Sequence, residues 1–303
     1  MNRATLFIAL AVTLHWGCTS AASAPPSIPL WPDKPPRFLE NAPPETVDDH
    51  GSVHNVTVPS MVVYPAPVEK RNGYAVIICC GGGYGALGWK NGVEDAVPVF
   101  HSLGVTVIGL KYRLRPPHKL DNAGIQALTL LDAKRAVRVV RHRAAEWGVD
   151  PHKIGVAGYS AGANLTMNLA ANFDRGDAAA ADPVERESSR PDFAVGCSTW
   201  HWRKKESPFV FHPDTPPVFL VHATNDGIKG GAPIEMPRAI KADLEKLSVP
   251  VKMLEFDEGA HGVGNLIPQR VQRGFPATKW PELLLAWLNT LPPAPQSTPG
   301  PPH

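Results

Sequence analysis

Between Val53 and Leu291 short β-branched or apolar runs alternate with longer helical stretches, and this alternation restricts the architecture more than any other feature. The runs are Val53–Val58, Ser60–Tyr64, Tyr74–Cys80, Val105–Leu110, Lys153–Ala157, Phe193–Thr199, Val218–Ala223 and Val251–Phe256. The first two read as edge strands. The others are apolar on successive residues, as strands covered on both faces are. The helical stretches are about Val93–Ser102, Ala123–Trp147, Ala161–Ala171, Pro233–Lys246 and Pro281–Leu291; Asp121 or Asn122 can cap the second and Gly148 can stop it. Strands joined by helices of this length imply βαβ crossovers, hence an α/β fold with a central, mostly parallel eight-stranded sheet flanked by helices. Its site is expected beyond the C-terminal ends of the strands.

The chain of 303 residues is within reach of one such domain, and 43% hydrophobic with 19% charged residues suffice for a packed core. Thirty basic against 28 acidic residues give a net charge of +2 with no Lys/Arg run, so nucleic acid is not an expected partner. Arg3, the apolar run from Ala4 to about Leu14 and the small residues after it read as a signal peptide over 1–24, which implies export to the periplasm or beyond. That run is shorter than the ~20 residues of a membrane-spanning helix, so no stable span is expected; Cys18 as a lipid anchor is the lesser alternative. The catalytic domain is then 25–292, followed by a Pro-rich tail over 293–303. Cys79, Cys80 and Cys197 read as core thiols, with no metal and no cofactor called for. Residues 173–192, rich in Asp, Ala, Glu and Ser, read as a solvent-exposed insertion, and the aromatic segment Trp200–Asp214 as a loop over the site or a packed rim.

Gly158-Tyr159-Ser160-Ala161-Gly162 lies between a strand and a helix, the context of a nucleophile elbow with Ser160 at its tip. Gly81-Gly82-Gly83-Tyr84-Gly85 follows another strand, and only backbone free of side chains can closely approach a developing oxyanion. The N–H groups of Gly82, Gly83 and Ala161 are the candidate donors. A phosphate-binding loop is the rival, but the chain has no following Lys-Ser/Thr and no G-x-G-x-x-G opening a helix. A serine hydroxyl needs an imidazole held by a carboxylate, and His261 in Glu258-Gly259-Ala260-His261-Gly262 and Asp226 both stand just past strand ends. Asp257 and Glu258 read as turn formers, His222 and His201 as structural. Tyr84, Asn164, Trp200 and Trp202 are candidate substrate contacts.

These residues resemble a family of α/β-hydrolase esterases, often bacterial and exported, related to acetyl xylan esterases and loosely to the hormone-sensitive-lipase-like group. The likeness also includes Ile28-Pro29-Leu30-Trp31-Pro32, Lys111-Tyr112-Arg113-Leu114, Asp132-Ala133-Lys134-Arg135-Ala136-Val137-Arg138, Trp147-Gly148-Val149-Asp150-Pro151 and Pro216-Pro217-Val218 through His222, and it covers most of residues 28–290. It implies the α/β-hydrolase fold, Ser160, Asp226 and His261 as the triad, and Gly82, Gly83 and Ala161 as the oxyanion hole. Departures are Cys80 where relatives carry His or Pro, Ala163-Asn164 where Gly-His is common, and the segment Gly196 to Trp202. The implied activity is a serine esterase acting on short acyl esters, acetyl above all, of small molecules or of xylan-type oligo- or polysaccharides. A prolyl-oligopeptidase-like serine peptidase and a non-catalytic carbohydrate-binding protein on a hydrolase scaffold are the alternatives.

Overall fold

The computed structural model describes residues 25–202, 207–227 and 232–292. The expected signal peptide (1–24) and tail (293–303) lie outside the described residues.

Eight strands make one sheet: β1 (Ser27–Pro29), β2 (Ser60–Tyr64), β3 (Ala75–Cys79), β4 (Thr106–Lys111), β5 (Ile154–Tyr159), β6 (Phe193–Cys197), β7 (Val218–Ala223) and β8 (Val251–Phe256). Their spatial order is β1-β2-β4-β3-β5-β6-β7-β8. The β1–β2 and β2–β4 pairs are antiparallel and every pair from β4 to β8 is parallel. The principal helices are α1 (Val97–Ser102), α2 (Asn122–His142), α3 (Ala161–Asn172), α4 (Glu235–Lys246) and α5 (Trp280–Leu288). All five residues of β3 are buried, as two helical layers require, so truncating Ile77 or Ile78 to Ala would cost about 2–5 kcal/mol.

The first strand of the sheet is not the expected one. Val53–His54 pairs with Thr46–Val47 in a separate two-stranded ribbon, and the backbone turns away at Asn55, whose φ is 57°. Ser27–Pro29 takes the edge instead. The expected helix Val93–Ser102 is divided into a π-helical turn over Lys90–Glu94 and α1, because Pro98 in the first turn of α1 lacks the N–H that a continuous ladder needs. Asp121 does cap α2, its Oδ1 accepting from Gly124 N at 2.7 Å, but the expected helix to Trp147 is divided: α2 stops at His142, and Gly148, in the left-handed region at φ 64°, closes a separate 3-10 turn over Ala144–Trp147.

Residues 173–192 are not a free insertion. Arg135, Arg138 and Arg141, one turn apart on α2, hold them: Arg135 pairs with Asp182 and Glu185 at 2.7 Å, Arg138 with Glu185 at 2.7 Å and with Asp174, and Arg141 with Asp192 at 3.1 Å. A sequence rich in acidic residues reads as solvated until its cationic partners on another element are placed. The N-terminal segment is anchored from the same helix. Arg135 Nε donates to Leu30 O at 2.8 Å, and its guanidinium and that of Arg113 lie over the Trp31 ring. Arg113 and Asp132 are wholly buried and joined at 2.6 Å.

Candidate active site

Ser160 occupies the single residue between β5 and α3, with φ 54° and ψ −117°. Such a backbone is sparsely populated for a residue with a side chain and costs of order 1–3 kcal/mol. The flanking glycines let strand and helix come close enough to impose it. A Cβ on Gly158 would stand 2.1 Å from Gly162 O, and one on Gly162 would stand 2.0 Å from Cys79 O at the end of β3. Ser160 N donates to Cys197 O at 3.0 Å, which ties the elbow to β6.

His261 lies on the loop after β8. Gly259, Ala260 and Gly262 all have positive φ (117°, 49° and 125°), and this winding brings the imidazole back over the elbow. The loop is pinned at several points. Ala260 N donates to Asn225 Oδ1 at 3.0 Å, Gly262 N to Ser198 Oγ at 3.3 Å, the Arg270 guanidinium to the carbonyls of Gly259 and Gly262, and the Trp280 indole N–H to Gly264 O at 2.8 Å. The result is one continuous hydrogen-bonded chain. His261 Nε2 is 2.8 Å from Ser160 Oγ, and Nδ1 is 3.0 and 3.1 Å from the two oxygens of the buried Asp226 carboxylate. With the Nδ1 proton directed at the carboxylate, Nε2 is left as the acceptor for the serine hydroxyl. Asp257 and Glu258 are exposed and make no part of it.

His222 sits under the acid. It is fully buried, with Nε2 2.9 Å from Ala232 O and 3.6 Å from Asp226 Oδ2, and among the described residues Nδ1 has no partner. Burial holds its pKa below the ordinary histidine value, so it stays neutral with the proton on Nε2, where the carbonyl accepts it.

The glycine loop abuts the elbow: a Cβ on Gly81 would stand 3.2 Å from Ser160 Cβ and 3.1 Å from Tyr159 O. Gly82 (φ 133°) and Gly83 (φ 61°) adopt conformations natural to glycine. Among the described residues no backbone acceptor takes the N–H of Gly82, Gly83 or Ala161. Ala161 opens α3, so its donor adds the positive end of a helix of 12 residues. Free donors beside a nucleophile can stabilise an oxyanion.

The four expected substrate contacts divide in two. Trp200 and Trp202 are partly exposed, at 4.8 Å from each other in an edge-on pair, and Trp200 N donates to Ser160 O at 3.4 Å, so the pair stands beside the site. Tyr84 and Asn164 are 0% exposed and offer a substrate no surface. Tyr84 is enclosed by the stacked Trp202 ring, the edge of Tyr112 and Asn164 itself. His201 is buried against Trp202 and Phe209. The pins Asn225, Ser198, Arg270 and Trp280 are absent from the sequence reading; only the adjacency of Asn225 to Asp226 hinted at one of them. Among the described residues no three His, Cys, Asp or Glu side chains converge to hold a metal, and no helix is long and apolar enough to cross a membrane.

Residues 78–186, from the end of β3 through the elbow and α3, match the family described as alpha/beta hydrolase fold. The chain is 37% identical over 115 residues to the carboxylesterase NlhH of Mycobacterium tuberculosis, a stretch that is 37% of this chain and 33% of that protein. It is 30% identical over 98 residues to an acetylxylan esterase of Xylanibacter ruminicola, covering 32% of this chain and 19% of that one. The chain thus spans a third or less of the length of these curated relatives. Along nearly the whole domain it is similar to the crystal structure of an acetyl ester-xyloside bifunctional hydrolase from Caldicellulosiruptor lactoaceticus, with TM-score 0.65, 28% identity, 89% of this chain and 98% of that chain covered. With the strand order above, the fold is that of an α/β-hydrolase.

Proposed function

We propose that the chain is a serine hydrolase that cleaves short acyl esters, acetyl above all, and that its natural substrates are acetylated xylan-type oligo- or polysaccharides. The observation that carries the esterase reading is the unbroken chain from Ser160 Oγ through both nitrogens of His261 to Asp226, closed at 2.8 and 3.0 Å. His261 Nε2 takes the serine proton as Oγ attacks the ester carbonyl, and Asp226 stabilises the imidazolium that forms. The carbonyl oxygen gathers charge against the N–H groups of Gly82, Gly83 and Ala161, donors that are each worth about 10²–10³-fold in rate in such sites. The alcohol leaves with the proton from His261. Water then enters by the same route, His261 accepting its proton, and the acid is released with Ser160 restored.

The esterase names of the curated relatives support the activity, and the xylan and xyloside names among the relatives and neighbours support a carbohydrate alcohol. The export signal read at 1–24 fits a polymer met outside the cell, and Trp200 and Trp202 beside Ser160 are surfaces suited to a sugar or a small acyl group.

The test is release of acetate from acetylated xylan and of nitrophenol from acetyl, butyryl and longer esters, by the wild type and Ser160→Ala in parallel. Acetate release and fast acetyl-ester turnover, both lost in the variant, support the full reading. Turnover of nitrophenyl acetate without acetate from xylan removes the polysaccharide and keeps the esterase. No turnover of any ester removes the esterase.

A further inference from the structure

We propose that the Tyr84 hydroxyl and the Asn164 carbonyl form a buried strut that sets the distance between the glycine loop and the nucleophile helix, making both positioning residues for the oxyanion donors. The proposal rests on the reading of Gly82, Gly83 and Ala161 as those donors.

The donors come from two elements far apart in the chain. Gly82 and Gly83 ride on the loop after β3, and Ala161 begins α3. Their joint effect depends on relative placement to a fraction of an ångström, which the glycines themselves, having no side chains, cannot provide. Tyr84 and Asn164 stand one and three residues beyond the donors on their respective elements. Tyr84 Oη donates to Asn164 Oδ1 at 2.7 Å, across 80 residues of sequence, and Gln126 Nε2 from α2 donates to the same oxygen at 3.0 Å.

Two independent features show that this contact is kept at a cost. Tyr84 has φ 63°, directly after Gly83, in the left-handed region where a side chain is strained. It is held there by the Asn164 bond, by Trp202 stacked at 6.0 Å, and by Arg115 N donating to its carbonyl at 2.9 Å. Asn164 is wholly buried, yet among the described residues its Nδ2 has no partner. A buried amide with one half unsatisfied is worse for stability than an apolar residue of the same shape, so the carbonyl is the group the position requires. Burial pushes the Tyr84 phenol far above the ordinary tyrosine range, so the hydroxyl keeps the proton it donates. The strut is therefore a neutral hydrogen bond at any working pH.

The test uses the full chain as wild type, Tyr84→Phe, Asn164→Ala and the double variant, with a fluorophosphonate. Ser160 Oγ attacks phosphorus, the P–F bond breaks, fluoride leaves and His261 takes the serine proton. The charge gathering on the phosphoryl oxygen calls on the same donors. Tyr84→Phe keeps the ring and its stacking, so the fold is retained. We expect kinact to fall about tenfold in Tyr84→Phe with KI unchanged, less than loss of a whole donor because the loop shifts and no N–H is removed. The double variant should lose no more than the more impaired of the two single variants, because either change breaks the same contact. Unchanged kinact in Tyr84→Phe, a loss that appears only in KI, or losses that multiply in the double variant would each overturn the strut. Nitrophenyl acetate run alongside separates the readings: slowed phosphonylation in a protein that turns over no ester leaves the strut standing and removes the esterase.

Discussion

Gly162→Ala is a one-carbon change whose effect can be worked from the packing at the elbow. The added Cβ would stand 2.0 Å from Cys79 O and 2.6 Å from Cys80 O, both backbone atoms at the end of a central strand that cannot rotate aside. To reach even a tight contact of 3.0 Å, α3 must retreat from β3 by about 1 Å. Ser160 and Ala161 N would move with it, whereas His261 and the glycine loop are held by other elements. The 2.8 Å contact between Ser160 Oγ and His261 Nε2 would open, and Ala161 N would part from the N–H groups of Gly82 and Gly83. A misplacement of that size costs about 100-fold in rate, and the overpacking itself costs about 1–3 kcal/mol. The assay is kcat on nitrophenyl acetate together with thermal unfolding. Gly85→Ala is the comparator, since its Cβ would meet only Gly82 O, at an ordinary 3.6 Å. A Gly162→Ala protein with the kcat and Tm of the Gly85→Ala protein would refute the claim that close approach of helix and strand positions the serine.

Asp226→Asn presents an amide to His261 Nδ1 and favours the tautomer with its proton on Nε2, so kcat should fall about 10⁴-fold with the fold intact; a loss under about tenfold would contradict the orienting role. Arg113→Met leaves the Asp132 carboxylate buried without its partner, and urea unfolding should show a loss of about 3–5 kcal/mol, largely recovered in Arg113→Met/Asp132→Leu. If the single variant were as stable as the wild type, the pair would have no anchoring role. Burial pushes the Cys79 thiol up to about 12 and raises those of Cys80 and Cys197 as well, so near pH 8 all three stay protonated. A thiol reagent should leave them unmodified until denaturant is added; rapid labelling of the folded chain would show that they are accessible.

The parts of the fold legible in the sequence are those specified over short range. The six apolar runs from Tyr74 onward and Ser60–Tyr64 are strands, and β5 runs two residues beyond its expected end, directly into Ser160. Ser160, Asp226 and His261 stand just beyond strand ends because strand, turn and glycine signals are local. Ser27–Pro29 was hidden by its length and its proline, and Val53–Val58 misled because β-branched composition says nothing of the turn at Asn55. Burial was the harder quantity. Tyr84 and Asn164 flank the chemistry in sequence, but only the placement of Trp202, Tyr112 and Gln126 around them closes them off from solvent. The same holds for the arginine row of α2 and residues 173–192, whose charges cancel only in three dimensions.

The anchors of the histidine loop have a consequence for how the protein is made. Ser160, Asp226 and the glycine loop have all left the ribosome before His261, but Arg270 and Trp280, which hold the carbonyls of Gly262 and Gly264, are synthesised after it. An unfinished chain that stops short of Trp280 has every reactive group and lacks the indole that fixes the loop bearing the imidazole. The loop that bears the imidazole is thus fixed only after α5 has been made and docks, and a truncation before Trp280 would silence the site without touching Ser160, Asp226 or His261.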